Sequence, residues 1–231
     1  MHACRSLPAA PSAPDVNELL VKTLLSYLLG SLVGSLLVGH LKGGIDIRKL
    51  GSGNAGGTNA LRTQGKSFAI WVLVIDIGKG WLATRWLAPA ALPAVAPAPP
   101  AIQLWVPVAC GIAAIFGHIY PVWHGFRGGK GVATLVGVIL GLEAGLLPPM
   151  LLTWFLAVVI FGFVGLASML AAASVAVYVP LAALEPGLQL TTFGVLMTAL
   201  IVFTHRSNIA RMRSGTEPRA KRLWLFGRHG R

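Results

Sequence analysis

The chain has 231 residues, 55% of them hydrophobic and only 11% charged, with a mean hydropathy of +0.73. That excludes an ordinary soluble domain and points to a bilayer. Nineteen Lys and Arg against seven Asp and Glu give a formal net charge of +12, which calls for anionic partners: phospholipid head groups, nucleic acid or phosphate-bearing substrates.

In chain order, residues 1–18, with Pro8, Pro11 and Pro14 among small residues, read as a flexible leader without the pattern of a removable signal peptide. The hydrocarbon core needs about 20 apolar residues per helix. About seven segments qualify: 19–41, 68–87, 102–116, 132–147, 150–164, 169–184 and 191–204. The fourth and fifth are short and meet at Pro148 and Pro149, where a helix must end or kink. A five-span arrangement with re-entrant pieces is the alternative. The fold class is therefore an all-α integral membrane protein, with a transmembrane domain over 19–217 and a basic tail over 218–231.

Charge sets the sidedness. Fifteen of the nineteen basic residues fall in 42–66, in 117–131 and after Thr204, while the connections on the other face, 89–101, 148–149 and 185–189, hold no Lys or Arg. The positive-inside rule then puts the N-terminus outside and the C-terminus in the cytoplasm. Cys4 and Cys110 are too few and too differently placed for a disulfide framework or a zinc site. Asp76 and Lys79, at i and i+3 on the second span, read as a mutually neutralising pair.

Three polar motifs share the basic face. The first runs from Gly51 to Arg62 and includes Ser52, Gly53, Asn54, Gly56, Thr58 and Asn59, followed by Gly65 and Lys66. Glycines there let the backbone turn tightly and aim amides and hydroxyls at phosphate oxygens. It is not a Walker loop, because the required first glycine is Ala60. The second, from Gly117 to Thr134, sets Lys130 among Gly128, Gly129 and Gly131 and then opens a helix, whose N-terminus favours an anion. His118, by itself, reads as a structural group at the end of the preceding span. The third, from His205 to Glu217, follows the last span; if the helix continues for a turn, His205, Asn208 and Arg211 share one face and suit a polyol phosphate. Arg219 through Arg231 read as a polybasic segment on anionic lipid.

From about Leu19 to Glu217, and through all three motifs in order, the sequence resembles the bacterial acyl-phosphate:glycerol-3-phosphate acyltransferases of the PlsY type. The resemblance implies a phosphate-binding loop at Ser52, Asn54, Thr58 and Arg62, a catalytic lysine at Lys130, and His205, Arg206 and Asn208 for glycerol phosphate. It also implies a functional serine near the start of a later span, for which Ser168 is the match, with Gly165 where a second serine often stands. Ala55 and Gly57 replace the more usual Pro and Ala of the first motif.

The implied reaction moves a fatty acyl group from acyl phosphate to the sn-1 hydroxyl of glycerol 3-phosphate. No cofactor or nucleic acid is implied; the partners are the two substrates, membrane phospholipid and an enzyme that produces acyl phosphate. The implied place is the cytoplasmic (inner) membrane of a bacterium, with the active site on the cytoplasmic face. No His is followed five residues on by Asp in the manner of soluble-type acyltransferases, so the base is either His205 or a substrate phosphate oxygen. A membrane transporter for an organic phosphate or other anion is the rival from another class, and a phosphoalcohol transferase lacks its acidic metal cluster here.

Overall fold

A computed structural model describes residues 16–93 and 95–228. Eleven α-helices follow one another among these residues: α1 (Asn17–Gly30), α2 (Gly34–Leu41), α3 (Gly57–Gln64), α4 (Lys66–Leu82), α5 (Pro100–Gln103), α6 (Val106–Ile119), α7 (Val132–Leu142), α8 (Leu147–Phe161), α9 (Val164–Leu181), α10 (Gly187–Thr204) and α11 (Arg206–Arg213). Five segments are long and apolar enough to cross a membrane: Lys66–Leu87, Val106–His124, Ala144–Phe161, Val164–Leu181 and Gly187–Thr204. A sixth crossing is made if α1 and α2, bent 45° to one another, act as one span.

The fourth of the seven expected spans is shorter than the sequence reading gives it. Residues 132–147 form the eleven-residue helix α7 and then a 3-10 turn at Ala144–Leu146, and eleven residues rise only about 16 Å. Pro148 and Pro149 do not end a helix. They lie at the first positions of α8, where an amide donor has no intrahelical partner to lose. The chain breaks a few residues earlier, at Glu143.

The helices pack in pairs: α1 on α6, α4 on α7, α8 on α9 and α9 on α10. In a bilayer, close backbone approach replaces the hydrophobic effect between helices, and small residues permit it. On α4 and α7 the carbonyl of Thr134 lies where a Cβ of Gly80 would stand, and the carbonyl of Ile77 fills the same place at Gly137. Ile115, Leu135, Ile139, Phe193, Met197 and Ile201 join α6, α7 and α10 in the main core. Leu24, Ile70, Trp71, Leu152 and Phe155 are exposed, and in a helical membrane protein such apolar residues face lipid.

Both ends of the chain differ from the expectation. Asn17 and Glu18, expected within the leader that reaches residue 18, belong to α1; residues 1–15 lie outside the described residues. Glu18 is buried. It receives Lys22 Nζ at 2.6 Å and the Ala98 amide at 2.7 Å, while Lys22 also donates to the Ala88 carbonyl at 2.5 Å. This buried ion pair ties the proline-rich connection between α4 and α5 to α1. In the tail, the Ala220 amide donates to Gly162 O at 2.8 Å, and the Arg219 guanidinium stacks 3.9 Å from the Trp224 ring and 4.7 Å from Phe163. Arg219 therefore docks on the turn between α8 and α9 rather than serving only as a lipid-facing charge.

Removing one member of a buried pair leaves the other charge uncompensated, whereas replacing both with uncharged groups costs much less. Lys22→Ala should therefore destabilise the protein by about 3 kcal/mol, and the double variant Glu18→Gln/Lys22→Met by clearly less. Thermal unfolding in detergent reads the difference; equal losses in the two would rule out the ion pair as the cause.

Candidate active site

The first loop is shaped from within. Asn59, 2% exposed, donates its amide to the carbonyls of Ile47 and Leu50 at 3.0 Å and of Asn54 at 3.1 Å, and its Oδ1 accepts the Ser52 amide at 3.0 Å. Expected as a phosphate contact, Asn59 is instead committed to the loop backbone, and this corrects its role. Gly51 has φ +56, and a Cβ there would strike the Asn59 side chain, so glycine is required. Ser52, Gly53, Thr58 and Arg62 are exposed, and Asn54 and Gly56 are half-buried. Gly56 precedes the first turn of α3, so the loop ends at a helix N-terminus with free amides.

Arg48 fastens this loop to the second. Its Nη1 donates to the carbonyls of His124 at 3.1 Å and Arg127 at 2.9 Å, and its other face pairs with Asp46 at 2.8 Å. The side-chain hydrogen bonds from Arg48 hold the Asp46 carboxyl below its usual range. Sequence reading counted Arg48 only as a topology charge and missed Asp46; the one available signal was an acid and a base two residues apart beside a glycine-rich loop.

In the second loop the Gly129 amide donates to His118 O at 3.1 Å and the Gly128 amide to Ile119 O at 3.0 Å. A Cβ on Gly128 would overlap the His118 carbonyl, and one on Gly129 would overlap the His118 ring and approach Ala55 O. These glycines let the loop fold flat against the end of α6 and the first loop. Gly131, at φ +87, starts α7, as the sequence predicts.

Lys130 is half-buried beside that turn. Its ammonium contacts Asn208 Oδ1, and its carbonyl accepts from Thr204 Oγ1 at 3.2 Å. The Asn208 amide is turned by Glu217, whose Oε1 receives Nδ2 at 2.6 Å while Oε2 receives Arg211 Nε at 2.7 Å. Since Nδ2 must face the carboxylate, Oδ1 must face the ammonium. Glu217 closed the third motif in the sequence but received no role there. Burial, then the nearby Arg211, lower the Lys130 pKa to about 8.

The last span does not continue unbroken into the third motif. It stops at Thr204, His205 takes φ −95 and ψ 9, and α11 starts anew at Arg206. His205, 4% exposed, places Nδ1 2.8 Å from Ile201 O; with Nδ1 as the donor, Nε2 is left as an acceptor. Burial, and then the charge of Lys130, lower its pKa to about 4, so the ring is neutral at ordinary pH. Arg206 is exposed and lies 4.6 Å over Phe203, yet it is near enough to help lower the Lys130 pKa.

Helix α9 begins at Val164, five residues before the expected span. Ser168 is therefore inside its first turns, buried, with its hydroxyl donating to Val164 O at 2.9 Å. One turn earlier, Gly165 lies against the Asn208 side chain, with only 3.0 Å between its ideal Cβ and that amide. The structure thus gathers Lys130, Asn208, Arg211, Glu217 and Gly165 directly, joins the first loop to the second through Arg48 and Gly129, and leaves Ser52, Thr58 and Arg62 exposed.

Comparison with known proteins identifies the family of this chain. A family model described as glycerol-3-phosphate acyltransferase matches residues 20–215. Among relatives of that name, one from Bordetella pertussis is 38% identical over 218 residues, 91% of this chain and 94% of its own length. Another, from Thioalkalivibrio sulfidiphilus, is 43% identical over 194 residues, 84% of this chain and 90% of its own. Among solved structures, PlsY (YgiH), an integral membrane glycerol 3-phosphate acyltransferase, in its glycerol 3-phosphate form, superposes with a TM-score of 0.74 at 31% identity, covering 88% of this chain and 96% of that one. Its lysophosphatidic acid form gives a TM-score of 0.73. The chain, a multi-pass membrane protein, belongs to the glycerol-3-phosphate acyltransferase family.

Proposed function

We propose that this enzyme transfers a fatty acyl group from acyl phosphate to the sn-1 hydroxyl of glycerol 3-phosphate, releasing phosphate and lysophosphatidic acid. The observation that carries the proposal is the Lys130 ammonium, half-buried among glycines and held by Asn208. Among the described residues Asn208 is its one hydrogen-bond partner, which leaves two of its three protons for phosphate oxygens. The hydroxyl oxygen attacks the acyl carbon, the bond from that carbon to the phosphate oxygen breaks, and phosphate departs with the electron pair. Cationic groups that offset this charge act most strongly where water is partly excluded. Phosphate on the rim of the first loop, at Ser52, Gly53, Asn54, Gly56, Thr58 and Arg62, and glycerol phosphate beside His205, Arg206 and Asn208, would set the two reacting atoms within reach. Ser168 would support this site from α9.

Two pKa values favour a substrate phosphate oxygen over His205 as the base. His205, at about 4, is a weaker base than a phosphate monoester, whose second pKa is about 6. The hydroxyl proton therefore goes to a substrate phosphate oxygen, and His205 orients the acceptor through Nε2. In this reading the seven segments cross or enter the cytoplasmic membrane of a bacterium, the N-terminus is outside, the site faces the cytoplasm, and an acyl-phosphate-producing enzyme supplies the donor.

Purified protein given glycerol 3-phosphate with acyl phosphate, acyl-CoA or acyl carrier protein should turn over only with acyl phosphate; direct use of acyl-CoA would sink the donor assignment. Lys130→Ala should lower kcat by roughly a hundredfold or more, and Lys130→Arg should recover little, because a planar guanidinium does not fit a collar built around an ammonium.

The pH profile provides a separate check. Lys130 must be cationic to offset phosphate, and its pKa is lowered to about 8. The cationic form is full below that value and is lost above it, so kcat/KM should fall as pH rises through about 8. A profile flat to well beyond that pH would remove Lys130 from its role.

Topology can be read with exposed positions. Ser52→Cys and Ser214→Cys should react with an impermeant thiol reagent only from the cytoplasmic side, and Ala96→Cys only from outside. External labelling of either of the first two would break the orientation.

A further inference from the structure

A buried ionic cluster lies beneath the second loop and has no part in the reaction just described. Asp76 and Lys79 of α4 are 0% and 3% exposed, and His118 at the end of α6 is 2% exposed. Lys79 Nζ stands 3.0 Å from Asp76 Oδ1 and 2.9 Å from His118 Nδ1, and His118 Nδ1 is 3.3 Å from the same carboxylate oxygen. The cluster also grips the break between α1 and α2: Asp76 Oδ1 accepts the Gly34 amide at 3.0 Å, and Lys79 donates to Leu32 O at 2.9 Å. On its other side, the His118 carbonyl holds the Gly129 amide at 3.1 Å, and the His118 ring and Ala55 O both close on Gly129.

We infer that Asp76, Lys79 and His118 are positioning residues for acyl transfer, fixing the height of the glycine turn that carries Lys130 relative to the first loop. The inference rests on the reading of Lys130 given above. The side chains of Asp76 and Lys79 hold the His118 imidazole in one orientation, and that imidazole and the Ala55 carbonyl close on Gly129. A shift of about 1 Å between the two loops would misalign the leaving phosphate from its counter-charge, a displacement that can cost about a hundredfold in rate. A cluster that only satisfied the broken helix would have no such effect, since uncharged groups can replace a buried ion pair with little loss of stability.

The test uses the full-length protein in detergent, with thermal unfolding measured for every variant. Asp76→Asn/Lys79→Gln removes both charges together while keeping an oxygen for the Gly34 amide and an amide donor for the Leu32 carbonyl, and should melt near the parent while kcat falls at least about fivefold with KM for glycerol 3-phosphate changed by less than about threefold. A folded double variant with a smaller loss, or with its loss carried by KM, overturns the inference. His118 gives an independent arm. His118→Ala should lower kcat by a similar factor, and His118→Asn, which returns a polar atom near the place of Nδ1, should recover part of it at the same melting temperature. Equal turnover of the two, or failure of every variant to fold, also overturns it. Parent protein in the same assay separates the two readings: no turnover by the parent rejects the proposed reaction, whereas active variants beside an active parent reject only the positioning role.

Discussion

A backbone broken inside a membrane must find partners for its freed amides and carbonyls, because hydrocarbon offers none. Here the break falls between α1 and α2, and two oppositely charged side chains one turn apart on α4 meet it. The carboxylate of Asp76 faces the N-terminal amide of α2, the end of a helix that favours negative charge, and the ammonium of Lys79 takes the carbonyl of Leu32 just beyond α1. Each charge does two things at once: it neutralises its partner and it satisfies backbone. That is the setting in which a buried ion pair is retained despite its desolvation cost. His118 completes the set from α6, so three helical segments are fixed to one another at the level where the second loop begins.

Above that level, the loops are joined by groups whose polar atoms are engaged within the protein. Asn59 exhausts its carboxamide on its own loop, Arg48 bridges to the carbonyls of the next, and Glu217 divides its two oxygens between Asn208 and Arg211. Glu217 also tempers a cationic neighbourhood: Arg206 and Arg211 lower the Lys130 pKa and Glu217 raises it. With the ammonium already partly desolvated, a bound dianion would raise that pKa again, because an opposite charge favours the charged form. In the proposed reaction, binding and charge state are therefore coupled at Lys130.

The apolar bulk of the molecule serves this polar end by holding it still. Helix pairs approach until carbonyls occupy the space of missing side chains at Gly80 and Gly137, while α8, with only 22% of its span buried, turns most of its surface outward to lipid. Even the tail contributes, since Arg219 between Phe163 and Trp224 fixes the segment that follows Glu217.

The sequence by itself determined the class of the protein, the order of its spans and the three motifs, because hydropathy, glycine spacing and the clustering of Lys and Arg are local properties of the chain. Lys130 among its glycines, the helix opened at Gly131 and the Asp76–Lys79 pair were all legible on that basis. The tertiary structure alone decided which polar residues meet. Asn59 turns inward and Arg48 outward to a loop far along the chain; the last span breaks at His205 instead of continuing; α7 is too short for the span its hydropathy suggests; Glu18 and Lys22 are buried together where a leader was expected to end. Each of these depends on a partner distant in sequence, whether a carbonyl, a carboxylate or a neighbouring helix, and a composition or a period along one segment carries no record of what packs against it.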